Sequence, residues 1–179
     1  MRGGGLGVVG IGGVASGTVV SSGGIEFVFG SAIADTVASG GAEYVSSGGT
    51  LNGATLSGGF LEVRSGASVG SSTVGFAGGG TLQLDDSQHF NGVISGFGVP
   101  GGIDLRDIAF GSGTTLGYAD SGGGSGTLTV SDGTHTATIN LLGQYTAANF
   151  NKQTDGHGGT LITDPPVQGL TGGIYIPHS

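Results

Sequence analysis

Carboxylates are the side chains of this sequence best suited to catalysis. Glu26 and Glu43 occupy matching positions in neighbouring copies of a repeat, so stacking would bring them within a few ångströms of each other. Paired carboxylates in a groove serve as general acid and base in enzymes that cleave polysaccharides. The remaining candidates of this type are Asp85, Asp86, Asp104 and Asp107. Stacked like charges are more typical of a solvated strand edge. We therefore expect no enzyme, with a carbohydrate-active β-helix lyase or hydrolase as the alternative.

Ser131, Asp132 and His135 have the residue types of a nucleophilic triad. A nucleophile and its base must lie within hydrogen-bond reach of each other. A tight turn at Asp132-Gly133 would put Asp132 at its tip, pointing to solvent, and would place Ser131 and His135 on opposite faces. The pattern therefore indicates a turn aspartate and a packed histidine, and it predicts no catalytic residue here.

Calcium is the metal that an acidic repeat protein most often binds. Repeats exported by type I secretion supply aspartate and backbone oxygens at a fixed spacing. The segments at 101–104 and 155–159 have part of that pattern, and neither recurs in tandem. The sequence supports at most a single weak Ca²⁺ site, at Asp85/Asp86 or Asp104/Asp107. A calcium-binding repeat protein is thus the weaker alternative, and no cofactor is expected.

A repeat of about eighteen residues positions these groups. Four copies open with Thr18, Thr36, Thr55 and Thr73. In each copy an apolar residue leads into a glycine-rich turn and then into a short strand that ends in Val or Leu. A fixed period near twenty residues indicates a solenoid, in which each unit buries its apolar face by stacking on the next. The 44 glycines have no strict third-position pattern, which excludes collagen.

Two apolar ladders are predicted to hold the column together. The leading ladder consists of Val19, Val37, Leu56 and Val74. The closing ladder consists of Val28, Val45, Val63 and Leu84. Pairs such as Glu62/Arg64 are expected to point elsewhere, and glycine pairs are expected at equivalent corners.

The pattern changes at Asp85-Asp86, after which alternating strands and turns replace the repeat. The strongest local signal is a hairpin over 126–142, in which Asp132-Gly133 favours a two-residue type I′ turn. That register sets Val130 opposite His135 and leaves a hydroxyl-rich outer face. We therefore predict solenoid repeats over 1–89, a β-rich capping module over 90–166 and a tail over 167–179. The start of the chain is expected to be a degenerate first repeat, which would make the chain the tail end of a longer array. A signal peptide with a cleavage zone at Val14-Ala15-Ser16 is the alternative.

Composition excludes several classes of function. A formal net charge of −8 argues against nucleic acid and against insertion into an anionic membrane. The chain has no cysteine, so disulfides and thiolate metal sites are excluded. A hydrophobic content of 36%, placed regularly between glycine clusters, argues for order rather than a disordered tract.

The motif from Ser39-Gly40-Gly41 through Val45 to Ser47-Gly48-Gly49 resembles the strand-loop-strand repeats of bacterial autotransporter passengers of the diffuse-adherence adhesin type. The likeness covers about residues 18 to 84. The second half is similar to a C-terminal module of large secreted proteobacterial repeat proteins. The resemblance implies secretion or display on the outer face of a Gram-negative outer membrane, and for some such repeats glycosylation of Ser or Thr.

The sequence thus predicts an all-β protein, a short single-stranded β-solenoid (β-helix) with a β-rich cap; analogy makes it right-handed. We expect a structural and interaction segment of a secreted or surface-displayed adhesin-type passenger. The expected partners are surface glycans or proteins, or further copies that associate through the solenoid ends.

Overall fold

A computed structural model describes residues 4–164, which form an all-β solenoid of about five turns. The predicted tail at 167–179 lies outside the described residues. The strands of the first half are β1 (Leu6–Val9), β2 (Val14–Ser16), β3 (Val19–Val20), β4 (Ile25–Val28), β5 (Ser31–Ala38), β6 (Ala42–Val45), β7 (Thr50–Ser57), β8 (Phe60–Val63), β9 (Thr73–Phe76) and β10 (Gly80–Leu84). The later strands are β11 (Val93–Ser95), β12 (Gly101–Leu105), β13 (Thr115–Gly122), β14 (Ser125–Ser131), β15 (Thr136–Leu142), β16 (Asn151–Thr154) and β17 (Thr160–Thr163).

Successive coils add one strand to each of two sheets. Sheet 1 has the order β1-β4-β6-β8-β10-β12-β17-β16, and sheet 2 has the order β13-β14-β15-β11-β9-β7-β5-β2, with β3 also paired to β5. We number the coils from the strand that each contributes to sheet 1, so that β4 opens the second coil and β6 opens the third. Pairing is parallel from β1 to β12, as stacked coils require.

The closing ladder lies on the inner face of sheet 1. Val28 pairs with Val45, Val45 with Val63, and Val63 with Leu84. Val9 and Leu105 extend the row by one residue at each end. All six side chains are buried, because each coil covers the apolar residue of its neighbour.

The leading ladder differs from the prediction at its two ends. Val19 is 50% exposed, and its neighbour Val20 is buried opposite Val37. Val74 pairs with Ala54 and not with Leu56, because Leu56 pairs with Phe76. The fourth coil carries extra residues between β8 and β9, and this insertion shifts the register by two while keeping Val74 on the inner face.

Parallel stacking continues past residue 89, the predicted end of the solenoid repeats. β11 stacks on β9, and β12 stacks on β10, so both sheets gain a further strand. The remaining strands then close the column. In sheet 1, β17 and β16 add antiparallel. In sheet 2, β15 pairs with β11 in parallel, and β14 and β13 follow it antiparallel. These strands cover the edges of β12 and β11, which would otherwise present unpaired backbone groups.

The hairpin forms with a register different from the predicted one. Val130 pairs with Ala137 and Ser131 with Thr136, so the loop has four residues and not two. The Asp132 N–H donates to the His135 carbonyl at 3.2 Å, which closes the longer turn. Because the shift is two residues, Leu128, Val130 and the odd positions of β15 still face the core, and Thr129 still faces solvent.

Glycine corners bring successive coils into close backbone contact. A Cβ built on Gly41 would lie 2.2 Å from the carbonyl oxygen of Val20 in the coil below. Gly59 and Gly80 occupy the same corner of the next coils, with a backbone oxygen 2.7 Å and 2.6 Å from their Cβ positions. Only glycine fits such an approach, which explains why the pair of glycines recurs with the repeat.

Gly41→Ala is expected to destabilise the protein by about 1–3 kcal/mol, because the added methyl group has to displace backbone. Urea unfolding followed by circular dichroism measures the change. Gly117→Ala is the matched control, since no atom lies within 4 Å of its Cβ position and its φ needs no glycine. Equal stabilities for the two variants would show that the corner can relax.

Candidate functional site

Three carboxylates meet inside the column. Glu26 on β4 and Glu43 on β6 pair in register across sheet 1, and Asp35 on β5 faces them from sheet 2. One carboxylate oxygen from each lies within 4.8 Å of the others. Their exposed fractions are 3% for Glu26 and zero for Asp35 and Glu43. The predicted solvated edge at Glu26 and Glu43 is therefore wrong, because both side chains share the inner face with the buried valines two residues later.

The hydrogen bonding of this cluster is incomplete. Asp35 Oδ1 accepts the Thr18 N–H at 2.8 Å. Among the described residues, four buried oxygens of the cluster have no hydrogen-bond partner: Glu26 Oε2, Asp35 Oδ2 and both oxygens of Glu43. A buried carboxylate oxygen without a partner is costly, so the cluster has to be neutralised by protons or by a cation.

Burial and mutual repulsion shift the acidities of the cluster. Burial raises the pKa of Glu43 to about 8, with the charges of Asp35 and Glu26 adding to the effect. Burial and the Asp35 charge raise the pKa of Glu26 to about 6. The pKa of Asp35 is also raised by burial, against the opposing hydrogen bond from the Thr18 N–H. Each shift disfavours the charged form in the apolar interior.

The cluster is confined to the second and third coils. In the same ladder of sheet 1, the following coils place Leu61, Leu82 and Ile103, all fully buried. On sheet 2, Ala54 and Val74 follow Asp35. Apolar packing is therefore the rule along these ladders, and the three acids are a local departure from it.

The outer face of sheet 1 carries a row of aromatic rings. Phe27 stacks on Tyr44 with ring centroids 5.1 Å apart, and Tyr44 meets Phe60 at 5.9 Å. The Arg64 guanidinium lies 5.1 Å from the Tyr44 ring centroid, and its Nε donates to Glu62 Oε1 at 2.9 Å. All three rings are partly exposed. We call Phe27, Tyr44, Phe60 and Arg64 the aromatic row.

An open depression borders the aromatic row. It has a volume of about 420 Å³, and Tyr44, Phe60 and Thr81 line it beside the glycine corners. Towards the first coil the apolar surface continues with Ile25, which pairs with Leu6 in sheet 1, and these residues are 37% and 66% exposed. The whole face is broad and shallow, which suits contact with an extended partner more than enclosure of a small substrate.

Three of the four acidic residues weighed for calcium contact protein groups through their side chains. Asp107 accepts hydrogen bonds from the Ser87 N–H and hydroxyl, at 2.9 and 2.7 Å. Asp86 contacts His89 Nδ1 at 2.7 Å, and Asp85 accepts from Gln83 at 3.0 Å. Within residues 4–164, Glu26, Asp35 and Glu43 are the one group of three or more such residues close enough to share a metal ion.

Asp104 is largely buried on β12, where burial and the nearby charge of Asp155 raise its pKa to about 6. Its Oδ1 has no hydrogen-bond partner. Asp155 is itself paired with Arg106 at 2.9 Å. Asp104 and Asp107, weighed together as a calcium site, therefore differ in their surroundings: Asp107 accepts hydrogen bonds from Ser87, and Asp104 Oδ1 accepts none from the described residues.

The triad-like residues form a turn. The Asp132 carboxylate accepts N–H groups of Thr134 and His135 at 2.7 Å and of Ala109 at 2.9 Å, and these bonds lower its pKa. Its side chain is only 9% exposed, so the predicted solvent orientation is wrong. The Ser131 hydroxyl donates to the carbonyl of His135, not to its ring. This arrangement anchors the loop to the segment before β13 and has no nucleophile–base pair.

Asp35 and the aromatic row were not identified from the sequence as part of a site. The alternation of side chains between the two faces of a strand nevertheless assigns both of them to a face. Asp35 is two residues before the inner Val37, just as Glu26 and Glu43 are two residues before Val28 and Val45. The residue between each glutamate and valine, Phe27 or Tyr44, must then face outward. This alternation is visible in the sequence. The acidic side chains were nevertheless predicted to face solvent, because charged groups are rarely buried.

Comparison of the chain with protein-family models, with curated proteins and with solved structures finds no match. Within the described part of the chain, no helix has the length and apolarity needed to cross a membrane. The geometry of the solenoid therefore carries the functional argument.

Proposed function

We propose that this chain is a structural and interaction segment of a secreted or surface-displayed bacterial repeat protein of the adhesin-passenger type. The solenoid is compatible with a repeat-type surface protein. Its continuous parallel ladders make a stiff column, because every coil is held by backbone hydrogen bonds and by buried apolar rows on both sides. The absence of cysteine and the low charge fit a chain that must cross an envelope before it folds.

The aromatic row is the observation that carries the interaction role. Aromatic rings on a flat sheet offer apolar faces to the C–H groups of sugar rings, and the nearby Arg64 and Glu62 supply hydrogen bonds to hydroxyl groups. The rings lie on consecutive coils, so an extended glycan can contact several of them at once. We propose surface glycans as the partners of this face.

Catalysis is not part of the proposal. Glu26 and Glu43, the paired carboxylates weighed for polysaccharide cleavage, are closed off from substrate inside the column. The aromatic face lies on the other side of sheet 1 and holds one glutamate, which is paired with Arg64. A turnover screen on acidic and neutral polysaccharides tests this point, and release of new reducing ends or unsaturated sugars would overturn it.

Tyr44→Ala is expected to reduce glycan binding at least about tenfold, because it removes the central ring of the row and the platform beneath Arg64. A glycan array identifies the ligand, and calorimetry of the variants against that ligand measures the loss. Phe110→Ala is the control, since Phe110 is 40% exposed and lies in the capping half of the chain. An array without a hit, or equal losses in the two variants, would contradict a glycan role for this face.

A further inference from the structure

Within residues 4–164, the buried carboxylates have no cationic side chain as an ion-pair partner. The ion pairs of the described residues involve Glu62, Asp86, Asp155 and Asp132, and none includes Glu26, Asp35 or Glu43. Glu43 is fully buried, its two oxygens have no hydrogen-bond partner, and it faces the other two acids. A side chain placed in this way points to a ligand that supplies positive charge.

The ligand chemistry of the cluster identifies the class of ion. The three oxygens lie within 4.8 Å of one another, so a single ion between them can contact all three. All three come from buried side chains. Mg²⁺ usually keeps several of its waters, whereas Ca²⁺ binds in sites built from protein oxygens at about 2.3–2.6 Å. Carboxylate oxygens are also the ligands that a hard divalent cation prefers.

On the side of the first coil, the ladder of Glu26 and Glu43 carries no side chain. The first coil contributes Gly7, which pairs with Glu26. The coils beyond Glu43 place leucine in that ladder. The cluster thus lies one coil from the N-terminal end of the described column, with its apolar side towards the cap.

We propose that Glu26, Asp35 and Glu43 together bind one divalent cation of calcium size inside the second and third coils. The ion links sheet 1 to sheet 2 and joins two successive coils, so it acts as a structural clamp on the N-terminal half of the column. This site is separate from the surface aspartates considered above, and it does not depend on the glycan role of the aromatic row.

The test uses the full chain, stripped with a chelator and returned to metal-free buffer at pH 7.5. Calcium chloride is then titrated, with magnesium chloride in parallel, while calorimetry gives the stoichiometry and thermal unfolding gives Tm. We expect one Ca²⁺ per chain and a rise in Tm of about 5–10 °C at a hundredfold excess over Kd. Magnesium is expected to give a smaller shift at the same concentration.

Glu43→Gln keeps the shape of the side chain and removes its charge, so it is expected to fold and to lose the calcium response. Glu62→Gln is the matched control, because Glu62 lies on the next strand of sheet 1 but faces outward, and it should keep the full response. Asp86→Asn reports on the surface aspartates and should also keep it. No calcium response in the unmodified chain, or a response that survives Glu43→Gln, would overturn the proposal. Loss of the calcium response in Asp86→Asn alone would assign the calcium site to the surface aspartates, and it would also overturn the proposal.

Discussion

The metal-free protein is expected to lose stability as the pH rises from about 4.5 to about 8. Burial raises the pKa of Glu43 from 4.5 to about 8 and that of Glu26 from 4.5 to about 6. A carboxyl whose folded pKa is raised binds its proton more tightly in the folded state. Its contribution to stability is therefore complete below the unfolded pKa and is lost as the pH rises through the folded pKa.

Glu43 alone is expected to account for about 5 kcal/mol of this loss, because a pKa difference of one unit corresponds to about 1.4 kcal/mol, and Glu26 adds to it. Asp104 acts in the same direction, because burial raises its pKa to about 6. Asp132 and Asp155 act in the opposite direction: their pKa values are lowered, so the stability they add is lost only as the pH falls below about 3.8. Stability should therefore be greatest near pH 4–5.

Urea unfolding in the presence of chelator, at intervals from pH 4.5 to 8.5, measures the profile. Glu43→Gln is expected to make the profile less steep and to be more stable than the unmodified chain at pH 8, because no buried carboxylate remains at that position to ionise. Glu62→Gln should keep the original slope, since its side chain lies on the outer face. A flat profile for the unmodified chain would show that the cluster does not titrate in this range.

Phe97→Ala is expected to cost about 3–5 kcal/mol, the range for removing a fully buried ring. The Phe97 side chain has no exposed surface, and it lies between the two halves of the protein. Its ring meets Phe76 of the solenoid edge-on at 5.3 Å and stacks on Phe150, just before β16, at 6.3 Å. The substitution thus leaves a cavity where the capping strands pack on the last coils.

Denaturant unfolding of Phe97→Ala measures this loss, and limited proteolysis shows whether the cap separates first. We expect earlier cleavage within the antiparallel strands, because they lose more of their packing than the parallel coils do. Phe110→Ala, at a ring that is 40% exposed, should change stability by less than about 1 kcal/mol. A small loss for Phe97→Ala would mean that neighbouring rings collapse into the space.

Two strands of the second half, β13 and β16, have no clear signal in the sequence. β13 is mostly exposed and runs into the glycines at 122–124, while β16 is a polar four-residue edge strand. Neither segment has the alternation that marks a half-buried strand, and both are held by pairing with the strand that follows. Such strands form because a neighbouring strand supplies their backbone hydrogen bonds. Their own residue pattern therefore does not predict them.

The length of the hairpin loop also could not be predicted from local residues. Asp132-Gly133 favours a two-residue turn by itself, yet the Asp132 carboxylate binds backbone N–H groups on both sides, including Ala109 from a distant segment. Those bonds require the four-residue loop. Tertiary contact overrode local turn preference, and the register moved by two residues while the buried face was kept.

By itself, the sequence determined that the chain stacks into a β-solenoid, because the repeat period, the glycine corners and the inner valines are local and recur in every coil. Only the tertiary structure decided that Glu26, Asp35 and Glu43 meet in the interior. Period two assigns each of them to a face, but the closeness of three carboxylates from two sheets depends on how the coils close around them. The burial of a side chain depends on residues that are far apart in the sequence. In this protein those residues exclude water from three carboxylates, and their charge then has to be neutralised.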